Sequence, residues 1–253
     1  MAEFVVLDVT PGTKLLLAHV AGGCCAKCGC SLLEEASGDD PPSHVGECAH
    51  IRGEKPGAAR FDSSMTSEER RHFNNLIYLD GRCHSIVDDQ ESTYTVEVLR
   101  EMKAAQWRAL QSRITNALPR VNFPELKVIC DAIVSAPMES SEVSPPTHPV
   151  EKMRKNGIET PEVDFLVRQA LGSAAVVREF VGRFAQLDQN FPERLRAGFV
   201  AEFNAQHATG LRGDALFVVL HSFAASHSSE PARQAAALSV LGYLFEACEV
   251  FEP

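Results

Sequence analysis

Cysteine occupies positions 24, 25, 28 and 30, four times in seven residues. Thiols crowded like this are either ligands to one metal ion or free cysteines packed as small hydrophobes. A zinc ion takes four ligands at the corners of a tetrahedron, usually paired by short spacings. The first reading therefore requires a distant segment to fold back onto this knuckle. The stretch Leu79-Asp80-Gly81-Arg82-Cys83 offers one, with Cys83 as a thiolate and Asp80 as a carboxylate ligand. The candidates for structural zinc are thus Cys25, Cys28, Cys30, Asp80 and Cys83. Cys25-x-x-Cys28 makes one knuckle and Cys25 with Cys30 another, and Cys48 is a further source of a ligand.

The rest of the N-terminal half alternates short elements with turns. Residues 13–22 read as a helix closed by Gly22-Gly23. Residues 34–46 are rich in Gly, Asp, Pro and Ser and predict a loop. Cys48 to Ile51 reads as a strand, residues 52–65 as an irregular arm, and Thr66 as the cap of a helix. Leu76 to Leu79 predicts a second strand, residues 83–89 the start of a helix, and Thr95 to Arg113 a longer one. Val98, Met102, Trp107 and Leu110 are the candidates for the packed side of that last helix.

Chemistry-bearing residues fall on these elements in a definite order. His84 and Asp88 are four apart, so a helix puts both on one face. Imidazole and carboxylate there suit a divalent ion, Mg2+ or Mn2+. His50, at the end of a strand, titrates near neutrality and suits a general base. Asn75, with Asn74 as the alternative, is placed to hydrogen-bond a loop carbonyl or the His50 ring. Arg52 and Arg60 lie in the arm and are candidates for substrate phosphate. Taken singly, each of these is more ordinary: a lone histidine is most often a surface or core residue.

A break comes at residues 137–149, where Pro-Met-Glu-Ser-Ser-Glu-Val-Ser-Pro-Pro-Thr-His-Pro predicts an extended linker. Beyond it the apolar period is helical. Phe165, Leu166, Ala170, Leu171, Val176, Val177, Phe180, Val181 and Phe184 share one pattern. Further helices are predicted from Pro192 to about Gly210, from Asp214 to His227 and from Pro231 to Cys248. The chain thus divides into residues 1–118, a helix and Pro/Ser-rich linker over 119–149, and an all-α region over 150–253.

Charge restricts the partners. The net charge is −10, and residues 1–112 hold 11 Lys/Arg against 17 Asp/Glu. Binding to nucleic acid rests on cationic neutralisation of phosphates, so the chain alone should hold DNA weakly. The start, Met1-Ala-Glu-Phe-Val-Val-Leu-Asp, has no basic n-region, and no apolar run is long enough for a membrane span. Eight cysteines in that context predict a reducing cytoplasm.

Residues 13–110 resemble the HNH endonuclease superfamily, whose core is a ββα-metal unit. The residues that carry the likeness are Cys25 to Cys30, Gly46-Glu-Cys-Ala-His50-Ile, Arg52-Gly-Glu-Lys-Pro56-Gly-Ala-Ala-Arg60-Phe-Asp62, Asn75-Leu-Ile-Tyr-Leu79, Cys83-His84 and Asp88. The likeness is closest to HNH domains used as effectors in bacterial anti-phage systems. It implies an α+β fold: an N-terminal ββα-metal domain followed by a helical domain. It also implies a metal-dependent DNA endonuclease with His50 as base, Asn75 as the family asparagine and His84 and Asp88 as metal ligands. Two positions depart from the pattern. Ala49 stands where many members have a metal-binding Asp or His, which leaves the metal to His84, Asp88, water, phosphate or a carboxylate such as Asp62. Asp80 stands where a zinc cysteine is expected. Both favour the alternative of a degenerate HNH scaffold used for DNA binding or as an adaptor. A third reading, a stand-alone restriction or homing enzyme, calls for a base-reading motif that the sequence does not display.

The second half resembles a helical domain at the end of proteins in ABC three-component conflict systems. Phe191-Pro-Glu-Arg-Leu-Arg-Ala-Gly-Phe-Val-Ala-Glu-Phe, Gly213-Asp-Ala-Leu-Phe and Tyr243-Leu-Phe-Glu-Ala-Cys-Glu-Val-Phe carry it. This implies docking to an ABC or SMC-like ATPase. The plain alternative is that residues 238–251 close the domain's own core. Cleavage of two strands would favour a homo-oligomer.

Overall fold

A computed structural model of the chain describes residues 8–34, 43–134 and 149–246. It separates into two compact units, Met1–Ser112 and Arg113–Pro253. The expected linker at 137–149 falls almost entirely outside the described residues.

The first unit opens with α1 (Pro11–Val20). Pro11 is tolerated because the first helical N–H has no partner in any case, and Thr10 caps by accepting the Thr13 amide at 3.1 Å. The helix starts two residues earlier than its apolar pattern indicates. Gly22 and Gly23 then take φ of 62° and 67°, which turns the chain into the cysteine knuckle. Two-residue strands β1 (Leu33–Glu34) and β2 (Ser43–His44) pair antiparallel at the rims of the segment expected to be a loop.

The centre of the unit is β3 (Glu47–His50) paired antiparallel with β4 (Leu76–Leu79). Cys48 lies opposite Tyr78, and His50 opposite Leu76. All four β4 residues are buried, so this short strand is covered on both faces. The arm between the strands is irregular except for a 3-10 turn over Phe73–Asn75 and, before it, α2 (Ser67–Arg71). There Thr66 and Glu69 form a reciprocal capping box. β4 runs into α3 (Gly81–Asp89), and α4 (Val96–Ala117) follows. α4 buries Val96, Leu99, Leu110 and Ile114, while Met102 and Trp107 are half-buried. Val98 is exposed, against the sequence expectation. Its neighbour Leu99 takes the inward position, and the helical period then sends Val98 outward.

The second unit is helical. It contains α5 (Phe123–Val134), α6 (Pro149–Lys155), α7 (Pro161–Leu187), α8 (Phe191–Ala208), α9 (Gly213–Ala224) and α10 (Pro231–Glu246). α5 packs on α8, α9 and α10. The helix of the expected 119–149 segment is therefore part of this unit's core: Leu126, Ile129, Cys130 and Ile133 are all buried in it. α10 lies along α7 so closely that a Cβ at Gly242 would meet the Ala170 carbonyl oxygen at 2.2 Å. Phe123, Phe180, Phe184 and Phe191 form one aromatic cluster, with Phe180 and Phe184 centroids 4.4 Å apart. Leu238, Val240, Leu241, Leu244 and Phe245 are buried, so α10 closes its own unit's core up to that point. Among the described residues no helix is long and apolar enough to cross a membrane.

Candidate functional site

Three candidate residues meet where β3 ends and α3 passes. His50 is the last residue of β3, and α3 carries His84 and Asp88 one turn apart. His84 Nε2 lies 3.4 Å from Asp88 Oδ2, and His84 Nδ1 lies 2.7 Å from Glu47 Oε2. Arg60 ties the two elements together at this point, donating to the His50 carbonyl and to Asp88 Oδ1, and the charges of His84 and Asp88 act on His50. Burial lowers the His50 pKa below its ordinary value, with Glu54 opposing and His84 assisting. His84 moves the other way: its hydrogen bond to Asp88 raises it, against burial, and Glu47 adds to the rise. The two rings are thus shifted in opposite directions, His50 downward and His84 upward.

His50 Nε2 is buried and meets no hydrogen-bond partner among the described residues. An orphaned buried nitrogen costs about 1–3 kcal/mol and requires a reason. Asp88 keeps one oxygen toward His84, the other being held by Arg60. Around a cation with ligands near 2.1 Å, adjacent donor atoms are separated by about 3.0–3.5 Å. The 3.4 Å between His84 Nε2 and Asp88 Oδ2 falls in that range. The donor set, one imidazole and one carboxylate, fits a divalent ion.

Arg60 does different work from that expected, and Asn75 does the first of the two things expected of it. The Arg60 side chain is only 5% exposed. Its guanidinium donates to the carbonyls of Ile51 (2.8 Å), Val87 (2.7 Å) and His50 (3.4 Å) and to Asp88 Oδ1 (2.5 Å). With its donors committed to protein oxygens, Arg60 is a brace between the arm, β3 and α3 and is not offered to substrate phosphate. It holds φ at 57°, and its own amide donates to Glu91 at 2.9 Å. Left-handed backbone costs a non-glycine residue about 1–2 kcal/mol, which these bonds offset. Arg52 is more open: it pairs with Asp62 at 2.8 Å and is 30% exposed. Asp62 also accepts from Ser64, so its carboxylate is engaged in the arm.

Asn75 is 6% exposed and bonds to backbone alone. Its oxygen accepts from the Arg52 amide (3.0 Å), and its nitrogen donates to the carbonyls of Arg52 (3.0 Å) and Arg70 (2.8 Å). It therefore clamps the chain immediately after His50. That makes it a positioning residue, fastened to loop carbonyls and not to the His50 ring.

The cysteine knuckle is built by backbone bonds. The Cys25 amide donates to the Cys30 carbonyl and the Gly29 amide to the Cys25 carbonyl, both at 2.9 Å, with Gly29 at φ 74°. The Ala26 amide reaches the Tyr78 carbonyl at 3.0 Å, which moors the knuckle to β4 and so to the start of α3. The sulfurs of Cys25, Cys28 and Cys83 all lie within 4.8 Å of one another. Cys30 Sγ is 3.2 Å from Cys28 Sγ. The group shares protons unevenly. Bonds from the Cys30 amide and thiol bring Cys28 down to about 7. The Cys28 contact raises Cys30 to about 11, and burial raises Cys83 to about 12. Asp80 plays another part: its Oδ1 caps α3 by accepting the amides of Arg82 (3.0 Å) and Cys83 (3.3 Å). Cys24, Cys30 and Cys48 are outside this group of three mutually close sulfurs.

One residue carries more than its sequence signal, and one carries none. Glu47 is an exposed glutamate in a short strand, and nothing in the sequence sets it apart. Ala49, the departure noted above, is fully buried between the strands and supplies no ligand.

No protein-family model matches the chain, and no curated protein matches it.

Proposed function

We propose that the N-terminal unit is a metal-dependent DNA endonuclease of the HNH kind. The observation that carries this is the convergence of His50, with its unpartnered buried Nε2, on the His84–Asp88 pair at the junction of two antiparallel strands and a helix. His84 through Nε2 and Asp88 through Oδ2 would hold the ion. When bound, a divalent cation offsets charge on the phosphate and on the departing oxygen.

The chain's own residues supply the rest. His50, kept neutral by burial, takes a proton from a water at Nε2. The water oxygen bonds to phosphorus as the bond from phosphorus to the sugar oxygen breaks. Asn75 and Arg60 fix the backbone at His50 and over the two residues after it, which limits how far the ring must move to meet the water. Arg52 is the remaining candidate for a phosphate oxygen. We also propose structural zinc on Cys25, Cys28 and Cys83; Asp80 is engaged as a helix cap, and Cys30, beside Cys28 but outside that group, would have to turn inward to be the fourth ligand. Tetrahedral zinc–sulfur bonds near 2.3 Å set sulfurs about 3.8 Å apart, compatible with this cluster.

The acidic charge supports weak DNA binding by the chain alone. We therefore propose that a partner delivers the substrate, in keeping with the likeness to ABC three-component and anti-phage effectors. Such a partner would meet the helical unit on a surface other than the buried side of α10.

Supercoiled plasmid with Mg2+ or Mn2+, with and without EDTA, tests the activity. Cleavage should require the metal and fall by at least about 100-fold in His50→Ala. Cleavage that survives His50→Ala unchanged would overturn the assignment of the base. A second reading has Ala49 behind it: with no ligand beside the base, the scaffold would bind DNA or act as an adaptor without cutting. DNA retention with no cleavage under any metal would favour that reading.

A further inference from the structure

The ring of His84 is held from both sides, and the two sides are not equivalent. Asp88 lies on the Nε2 side, on the same helix. Glu47 lies on the Nδ1 side and comes from the first residue of β3. Its 2.7 Å contact is the shorter of the two. Space has been left for it. Residue 81 opens α3 as glycine, and a Cβ there would stand 3.0 Å from Glu47 Oε1.

The two nitrogens of an imidazole point away from each other. A carboxylate oxygen at Nδ1 is therefore badly placed to share an ion with Nε2. A carboxylate that accepts the Nδ1 proton does two other things: it fixes the tautomer, and it makes Nε2 a better donor to a metal. We infer that Glu47 is a positioning residue, whose carboxylate fixes the His84 ring through Nδ1–H and presents Nε2, beside Asp88, to the divalent cation. This rests on the metal site proposed above. It gives the strand as well as the helix a part in forming that site, at a position where Ala49 contributes nothing.

Calorimetric titration of the full chain with Mn2+ alone tests it, alongside the His84 tautomer read from two-bond 15N couplings. Glu47→Ala should weaken Mn2+ binding about 10- to 100-fold. Glu47→Gln should stay within about threefold of the wild type, because an amide oxygen still accepts Nδ1–H. The wild type loaded with diamagnetic Mg2+ in place of Mn2+ should show the Nδ1–H tautomer. Equal affinity in the wild type and Glu47→Ala would overturn the inference. So would Glu47→Gln as weak as Glu47→Ala, which would make Glu47 a charged ligand and not a support. A wild type that binds no Mn2+ would sink the metal site itself. The tautomer of wild type against Glu47→Ala at a pH where His84 is neutral still decides the Glu47 contact: no difference between them overturns it.

Discussion

The two units solve the problem of holding a backbone in place by opposite means. In the helical unit, long helices bury Val, Leu, Ala and Phe against one another, and ion pairs such as Lys127–Asp131 sit one turn apart on the outside. In the N-terminal unit the elements are short, and side chains fasten them to distant backbone. Arg60 spans the arm, β3 and α3, Asn75 clamps the turn after His50, and the Gln106 amide reaches the Cys24 carbonyl at 2.5 Å. The difference teaches where precision is needed. Apolar packing is non-directional and tolerates small shifts, whereas each polar tie fixes one geometry. The unit that carries the candidate chemistry is the one built from directional ties.

Substitutions at the tightest points should separate the two designs. Gly242→Leu forces a side chain into the Ala170 carbonyl, at a place where helix backbones touch. A loss of at least about 3 kcal/mol is expected, and thermal unfolding by circular dichroism would measure it. Arg60→Ala should cost about 3 kcal/mol, mainly from three carbonyls that lose the Arg60 donor, with a smaller part from a partly solvated Asp88 left with His84 alone. Its effect should be local. Amide exchange should quicken over residues 47–89 and stay unchanged over residues 161–246.

A pH experiment sharpens the contrast from the other side. His221 is completely buried in the helical unit, where Nε2 meets the Gln234 carbonyl at 2.8 Å, and burial lowers its pKa to about 4. The folded state thus refuses a proton that the unfolded chain accepts near pH 6.5. Stability from this group is complete above pH 6.5 and is lost as pH falls toward 4, by about 3 kcal/mol. Urea unfolding at pH 7 and pH 4.5 should show that slope, and a His221→Leu chain should show less of it. The smallest effect belongs to the surface. Lys127→Ala removes an exposed pair and should change stability by no more than about 0.5 kcal/mol by the same urea assay.

Local signals were readable wherever one segment decides its own shape. The Thr66 box, the positions of β3 and β4 and the glycines after α1 all followed from neighbours in sequence. The spacing of His84 and Asp88 placed both on one face, as α3 has them. What sequence could not show depends on contacts between segments. Arg60 looks like any arm cation until four oxygens from three elements surround it. Glu47 gains its interest only when α3 lies beside β3. Asp80 caps its own helix, which competes with the ligand role that its place in the chain suggested. The helix at 123–134 read as part of a connection because its buried face is matched by α7, α8, α9 and α10, well downstream.

The account stands on a cation shared by one imidazole and one carboxylate within reach of a second, neutral imidazole. Anomalous diffraction from crystals soaked in Mn2+ addresses it directly. The account predicts a manganese peak about 2.2 Å from both His84 Nε2 and Asp88 Oδ2, on the side facing His50. A saturated soak with no peak there, or with the rings of His50 and His84 turned to opposite sides of the unit, would contradict it.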